Sequence, residues 1–142
     1  MGDAAGAQGS VALDYVDTLG IREGQVVQEI GWDEDCDTAI SEAVEDFLDT
    51  DLLPEDTDEV VDVVLAWWRE EDGDLVDGLV DMIRPLSDNG RIWLLTPGPK
   101  ESGALDHAVI QESAVLAGLV VTTTNLLGQW SGTCLVQRPT KR

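Results

Sequence analysis

The nine residues VVDVVLAWW, Val60 to Trp68, limit what this chain can fold into more than any other stretch. In an extended strand successive side chains point to opposite faces. One face would carry Val61, Val63, Leu65 and Trp67. The other would carry Val60, Asp62, Val64, Ala66 and Trp68. Both sets are almost wholly apolar, whereas a strand with one wet face alternates apolar with polar. A β-branched run apolar on both sides belongs inside a parallel sheet covered by helices on both faces.

The rest of the chain supplies those helices. Leu13, Val16 and Leu19 stand at helical spacing before Gly20 and read as a short lead helix. VVQEI, Val26 to Ile30, reads as a first strand. Asp37 can cap a helix running to about Asp49, with Ile40, Val44, Phe47 and Leu48 on its buried face. Leu52 and Leu53 resemble a vestigial strand inside an acid-rich loop. After Trp68, REEDGD reads as a loop and LVDGLVDMIRPL as an amphipathic helix. Its inward face is Leu75, Leu79, Met82 and Ile83, and Pro85 stops it. DNGR reads as a turn and IWLLT as a strand. LDHAVIQESAVLAG is a helix closed by Gly118, LVVTTTNLL a strand, GQWSG a turn or bulge, and TCLVQRP a last strand. Strands alternating with helices give a mostly parallel α/β sheet. The last two strands lack a helix between them and should pair antiparallel at one edge. The expected domain spans residues 12–138, with a flexible lead-in at 1–11 and a loose tail at 139–142.

Charge and cysteine usage narrow the function classes. Of 142 residues, 29 are acidic and 8 basic, a net charge of −21. Such a surface repels nucleic-acid backbones and anionic membranes, and it favours solubility or a basic protein partner. No apolar run approaches the roughly 20 residues that span a bilayer. Cys36 and Cys134 lie far apart without a C-x-x-C motif, and the single histidine, His107, is remote from both. Reduced thiols and a cytoplasmic home are the expectation, without a zinc site.

The order of elements resembles the later part of a class I S-adenosylmethionine-dependent methyltransferase. LGIREGQVVQEIGW is similar to the first strand and its loop, TDEVVDVVLAWW to the fourth strand, and LVDGLVDMIRPLSDNGRIWLLTPG to the helix, turn and fifth strand. AGLVVTTTNLLGQWSGTCLV is similar to the two terminal strands. A nearly end-to-end resemblance, carried by GWDEDCD, VVDVVLAWWREEDGDLVDGLVD, RIWLLTP and AGL, is to a family of short actinobacterial proteins of unknown function. It implies a minimal, methyltransferase-like Rossmann fold and a cytoplasmic home. It implies no reaction and lends no catalytic residue.

The loop GWDEDCDTAI sits where a cofactor cradle would. Methyltransferases carry an acid-x-Gly-x-Gly-x-Gly pattern there, because small residues let backbone approach the ligand. Glu29 and Gly31 fit its start, and with Trp32 and Asp33 they are the candidate cofactor-binding residues for S-adenosylmethionine. Asp33 and Asp35 replace the next two glycines. The acid expected about 20 residues on, for the ribose, falls near Glu55, Asp56 and Asp58 in a loop. Calcium fares worse: Asp33, Asp35 and Asp37 alternate correctly, but Thr38 stands where Gly is needed and Val44 where Glu is. The plainer reading makes these acids a helix cap.

Five tryptophans are many for this length. Trp67 and Trp68 should face opposite sides of the sheet, with Trp32, Thr96 and Trp130 converging on its carboxyl edge. They either fill space left by missing elements or line a contact groove. His107 reads as a surface residue, Cys36 as an unreactive thiol among acids, and Arg69 as a partner of nearby acids. The expectation is a degenerate methyltransferase-like protein that does no catalysis, holds no cofactor and acts through protein–protein contact. Its contact surface would be Asp35, Trp67, Trp68, Arg69, Thr96 and Trp130. The alternative is a small-molecule or nucleotide binder, an S-adenosylmethionine-dependent enzyme included, using the same edge. Self-association is left open.

Overall fold

The computed structural model describes residues 15–138. The lead-in, Leu13 of the lead helix and the tail fall outside that range. Residues 15–19 (α1) are helical and bury Val16 and Leu19. There follow β1 (Val27–Ile30), α2 (Thr38–Leu48), β2 (Val61–Trp67), a single 3-10 turn (Glu70–Asp72) and α3 (Leu75–Ile83). The chain continues as β3 (Leu86–Pro97), α4 (His107–Ala117), β4 (Leu119–Leu127) and β5 (Trp130–Gln137).

One five-stranded sheet has the order β1-β2-β3-β5-β4. β1, β2 and β3 are parallel, while β5 pairs antiparallel with both β3 and β4. This is the expected α/β arrangement, including the antiparallel edge pair. β2 is buried along almost its whole length, as its two apolar faces demand. Val63, Leu65 and Trp67 enter a core under α1 and α2. Val64 and Ala66 enter a second core under α3 and α4, and Val61, expected on the first face, joins them because the ladder is irregular between Val61 and Val63. The ends of the motif behave differently: Val60 is exposed, and Trp68 lies just past the strand.

Local chemistry sets the helix boundaries. Asp37, Asp74 and Asp106 each accept a hydrogen bond from a backbone N–H of the first turn, at 3.0, 3.0 and 3.4 Å. α4 closes on Gly118 in the left-handed region, as its position after the last periodic residue predicts. None of the described helices is long and apolar enough to cross a membrane.

Two expectations need correction. DNGR is not a turn between helix and strand. β3 already begins at Leu86, and the register jumps between Val61↔Leu86 and Val63↔Arg91, so residues 87–90 bulge from the ladder. Gly90 is buried there, and the packing leaves no room for a side chain, since a Cβ would stand 2.6 Å from the Leu86 side chain. The GQWSG turn is also shorter: Gly128 and Gln129 make it, and Trp130 to Gly132 belong to β5.

The path from β1 to β2 decides where a site can lie. Leu53 forms a parallel bridge with Gln28 on one side of β1, the vestige of a strand seen in the sequence. The chain then returns directly, and β2 pairs on the other side of β1. Strand order therefore reverses at β1. In open α/β sheets such a reversal opens a crevice at the carboxyl ends of the strands, where ligands bind.

Candidate functional site

That crevice lies between Ile30 and Trp67. Gly31 turns the chain out of β1 with φ +75°, in the left-handed region. A Cβ at Gly31 would overlap the carbonyl oxygen of Trp67, so the loop and the end of β2 touch backbone to backbone. The Gly31 N–H donates to the Glu55 carboxylate at 2.8 Å. Glu55 lies two residues past the Leu53 bridge, the position of a ribose-binding acid in a complete fold. Sequence spacing pointed near this residue but left it in a loop.

Arg69 crosses the crevice. Among the described residues it is the one buried charged side chain, 8% exposed. Its guanidinium donates to both carboxylate oxygens of Asp35, at 3.1 and 2.5 Å, and to the Gly31 carbonyl at 2.8 Å. It also contacts the Cys36 sulfur at 3.1 Å and lies 5.5 Å from the centre of the Trp130 ring. Asp72 accepts from the Arg69 backbone at 2.9 Å and more weakly from its side chain at 3.4 Å. One side chain thus ties the β1 loop, the end of β2, the 3-10 turn and β5 together. The hydrogen bonds from Arg69 hold the Asp35 carboxyl below the usual aspartate range, and those to Asp35 push the guanidinium up.

The interior side of the edge is similarly engaged. Glu29 accepts from the Trp67 indole N–H at 2.8 Å and from the Ser41 hydroxyl. Trp67 meets Trp130 edge-on, with centroids 4.8 Å apart and planes at 85°. Thr96 is buried on β3 and donates to the Ser131 carbonyl at 3.4 Å. Burial, more than the neighbouring acids, pushes the Cys36 thiol up, and Arg69 opposes that shift. The acids of the loop divide their roles. Asp37 caps α2, Asp35 pairs with Arg69, and Asp33 accepts from the Glu34 N–H at 2.7 Å. Among the described residues no acidic, histidine or cysteine group is arranged to hold a metal ion.

Of the ten residues singled out in the sequence, Glu29, Gly31, Asp35, Trp67, Arg69, Thr96 and Trp130 are engaged within the edge. Asp33 sits on its exposed rim, and Trp32 stands 47% exposed beside it. Trp68 turns to the opposite face and lies against Gly78 of α3, where a Cβ would come within 2.6 Å of its ring. It walls three hollows, two of which bear on the site. One, about 360 Å³, lies at the crevice among Gly31, Glu55, Trp67 and Arg69. The other, about 820 Å³, runs along α3. Sequence reasoning missed Ser41, which nothing in its local pattern marks, whereas Asp72 is one of the nearby acids expected to partner Arg69.

A family model described as a protein of unknown function (DUF3052) matches residues 16–139. The chain belongs to the DUF3052 family. Relatives include the uncharacterized proteins Mb2263c of Mycobacterium bovis and Rv2239c of Mycobacterium tuberculosis. Each is 51% identical over 126 residues, covering 89% of this chain and 80% of the relative. Among solved structures, a SAM-dependent methyltransferase from Aquifex aeolicus aligns with TM-score 0.59 and 11% identity, over 87% of this chain and 88% of that one. Precorrin-6y C5,15-methyltransferase from Geobacter metallireducens aligns with TM-score 0.56 and 12% identity, over 92% and 88%. The mitomycin 7-O-methyltransferase MmcR gives 0.57 and 14%, and this chain spans about half of it, 53%, while 90% of this chain is covered. At such identities the likeness is one of fold. The family member shares a methyltransferase-like scaffold, with β1 to β3 as its parallel core.

Proposed function

We propose that this DUF3052 protein is a non-catalytic relative of the methyltransferase fold that acts through contact with another protein. One observation carries the reading: Arg69 spans the crevice where such a fold would seat a ligand, and is held there by Asp35 and the Gly31 carbonyl. The groups that would contact a nucleoside cofactor are directed at the protein itself. The Gly31 N–H goes to Glu55, and the Glu29 carboxylate goes to Trp67 and Ser41. Catalysis needs a side chain free to meet a substrate, and these are committed. Two distant thiols without a partner motif suit a cytoplasmic setting.

A second reading is favoured by the 360 Å³ hollow beside Glu55, which falls within the range of small-molecule sites. There the chain would bind S-adenosylmethionine or a related nucleoside. Calorimetric titration with S-adenosylmethionine and its demethylated product separates the two. The first reading expects no heat of binding up to millimolar ligand. Low-micromolar binding overturns it. A pull-down from native lysate then tests the loop, with Asp33 and Glu34 reversed to lysine. Asp35 is left intact because Arg69 depends on it.

A further inference from the structure

The second core is covered unevenly. α3 and α4 lie over it from β2 to β4, but among the described residues no helix covers the same face of β1. The chain crosses there only as residues 54–60, where a complete doubly wound sheet would carry another strand and a covering helix. The result is the open groove of about 820 Å³ beside α3. Its floor is mainly apolar: Ile30 and Trp68 are half-buried, and Met82 lies buried beneath them beside the amide of Gln28. Its walls are acidic. Asp74, Asp77 and Asp81 stand at helical spacing along α3, and Glu55 and Asp58 stand on the crossing segment opposite. One arginine, Arg84, closes an end.

We propose that this groove is the docking site for a basic amphipathic helix of a partner protein, which completes the missing part of the helix layer. The inference rests on the protein-contact reading above and names its surface and partner chemistry. A helix is about 10 Å across, the thickness of the layer that α3 and α4 already form. Its apolar stripe would lie on the accessible parts of Ile30 and Trp68, above the buried Met82, as in helix-in-groove recognition. Lysines and arginines on its flanks would meet acids on both walls, and the exposed Trp68 face can stack under a cation. The indole N–H of Trp68 has no hydrogen-bond acceptor within the described residues, so the ring is not held by a polar partner of its own. Charge complementarity selects the occupant: acidic or neutral helices gain nothing from these walls, and anionic polymers are repelled.

The probe is a synthetic amphipathic peptide of about 14 residues, with leucines on one face and lysines on the other, long enough for roughly 20 Å of helix. It is titrated into the full-length protein and followed by amide and indole chemical shifts. Two peptides serve as controls, one with glutamate for lysine and one with serine for leucine. The expected result is saturable shifts at Ile30, Thr57, Trp68, Gly78 and Met82, weakening steeply between about 50 mM and about 500 mM salt. The D77K/D81K variant should bind about tenfold more weakly. E42K/D46K changes net charge equally on the exposed side of α2 and should bind as the parent does. Failure of saturable shifts at millimolar peptide overturns the proposal. Equal loss in both variants, or equal binding of the leucine-free peptide, also overturns it, because attraction would then be to the acidic surface at large. A lysate partner that survives D77K/D81K but is lost on reversing Asp33 and Glu34 sinks the groove and leaves the protein-contact reading standing. Low-micromolar S-adenosylmethionine binding sinks that reading instead.

Discussion

Replacing Arg69 with lysine tests the mechanism that closes the carboxyl edge. Lysine keeps the charge but loses the planar five-donor fork. The arginine's two strongest contacts are the bidentate pair with Asp35 and the bond to the Gly31 carbonyl at 2.8 Å. The Asp35 side chain is 56% exposed, so water can replace its partner and the pair counts at a surface value of up to about 1 kcal/mol. The carbonyl bond, made by a buried cation, contributes about 1.5–3 kcal/mol. An ammonium recovers part of this, which leaves an expected loss of about 2 kcal/mol for R69K. For a chain of this size the melting temperature should fall by about 4–8 °C. Urea unfolding followed by tryptophan emission measures it, with the slope unchanged if only the folded state is affected. D35N should cost less, about 1 kcal/mol or below, because it spares the carbonyl bond. An R69K loss under about 0.5 kcal/mol, or one no larger than that of D35N, would refute the claim that Arg69 clamps the edge.

Three further outcomes follow from the same geometry. Gly31→Ala should cost at least about 1–2 kcal/mol from its left-handed backbone alone, with more from the overlap with the Trp67 carbonyl; a thermal melt matching the parent's would contradict this. Asp37→Ala removes the cap of α2 and should cost about 1 kcal/mol in urea unfolding, measured against no change for the exposed Asp46→Ala. Asp35 has a folded pKa below its unfolded value, so its contribution is present above the unfolded aspartate value near 3.9 and is lost as pH falls through the lower folded value; parent and D35N melting temperatures should differ at pH 6 to about the same extent as at pH 5 and converge in strong acid.

The sequence by itself determined the layer architecture. The two apolar faces of Val61–Trp67 require cover on both sides, and the spacing of Ile40 and Val44, and of Leu75, Leu79 and Met82, supplies it. Asp37, Asp74, Asp106 and Gly118 mark helix ends because capping is a local interaction, settled within a few residues. The pairing of the last two strands was legible for the same reason, since the short GQWSG stretch between them leaves no room for a helix. DNGR misled because its turn chemistry is real but is spent on a bulge, and only the ladder with β2 shows that. The site was legible as a list of residues and not as an arrangement. Arg69 and Asp35 are 34 positions apart, and Glu29 and Trp67 are 38 apart. No local rule couples such pairs, whose meeting depends on the register of β1 against β2. Tertiary structure alone decided that Arg69 is buried across the crevice, that Glu55 reaches the Gly31 N–H, and that an acidic groove remains open beside α3. The physical reason is that helices and caps form from neighbours in sequence, whereas a buried charge and an uncovered face are defined by which distant elements do, or do not, pack against them.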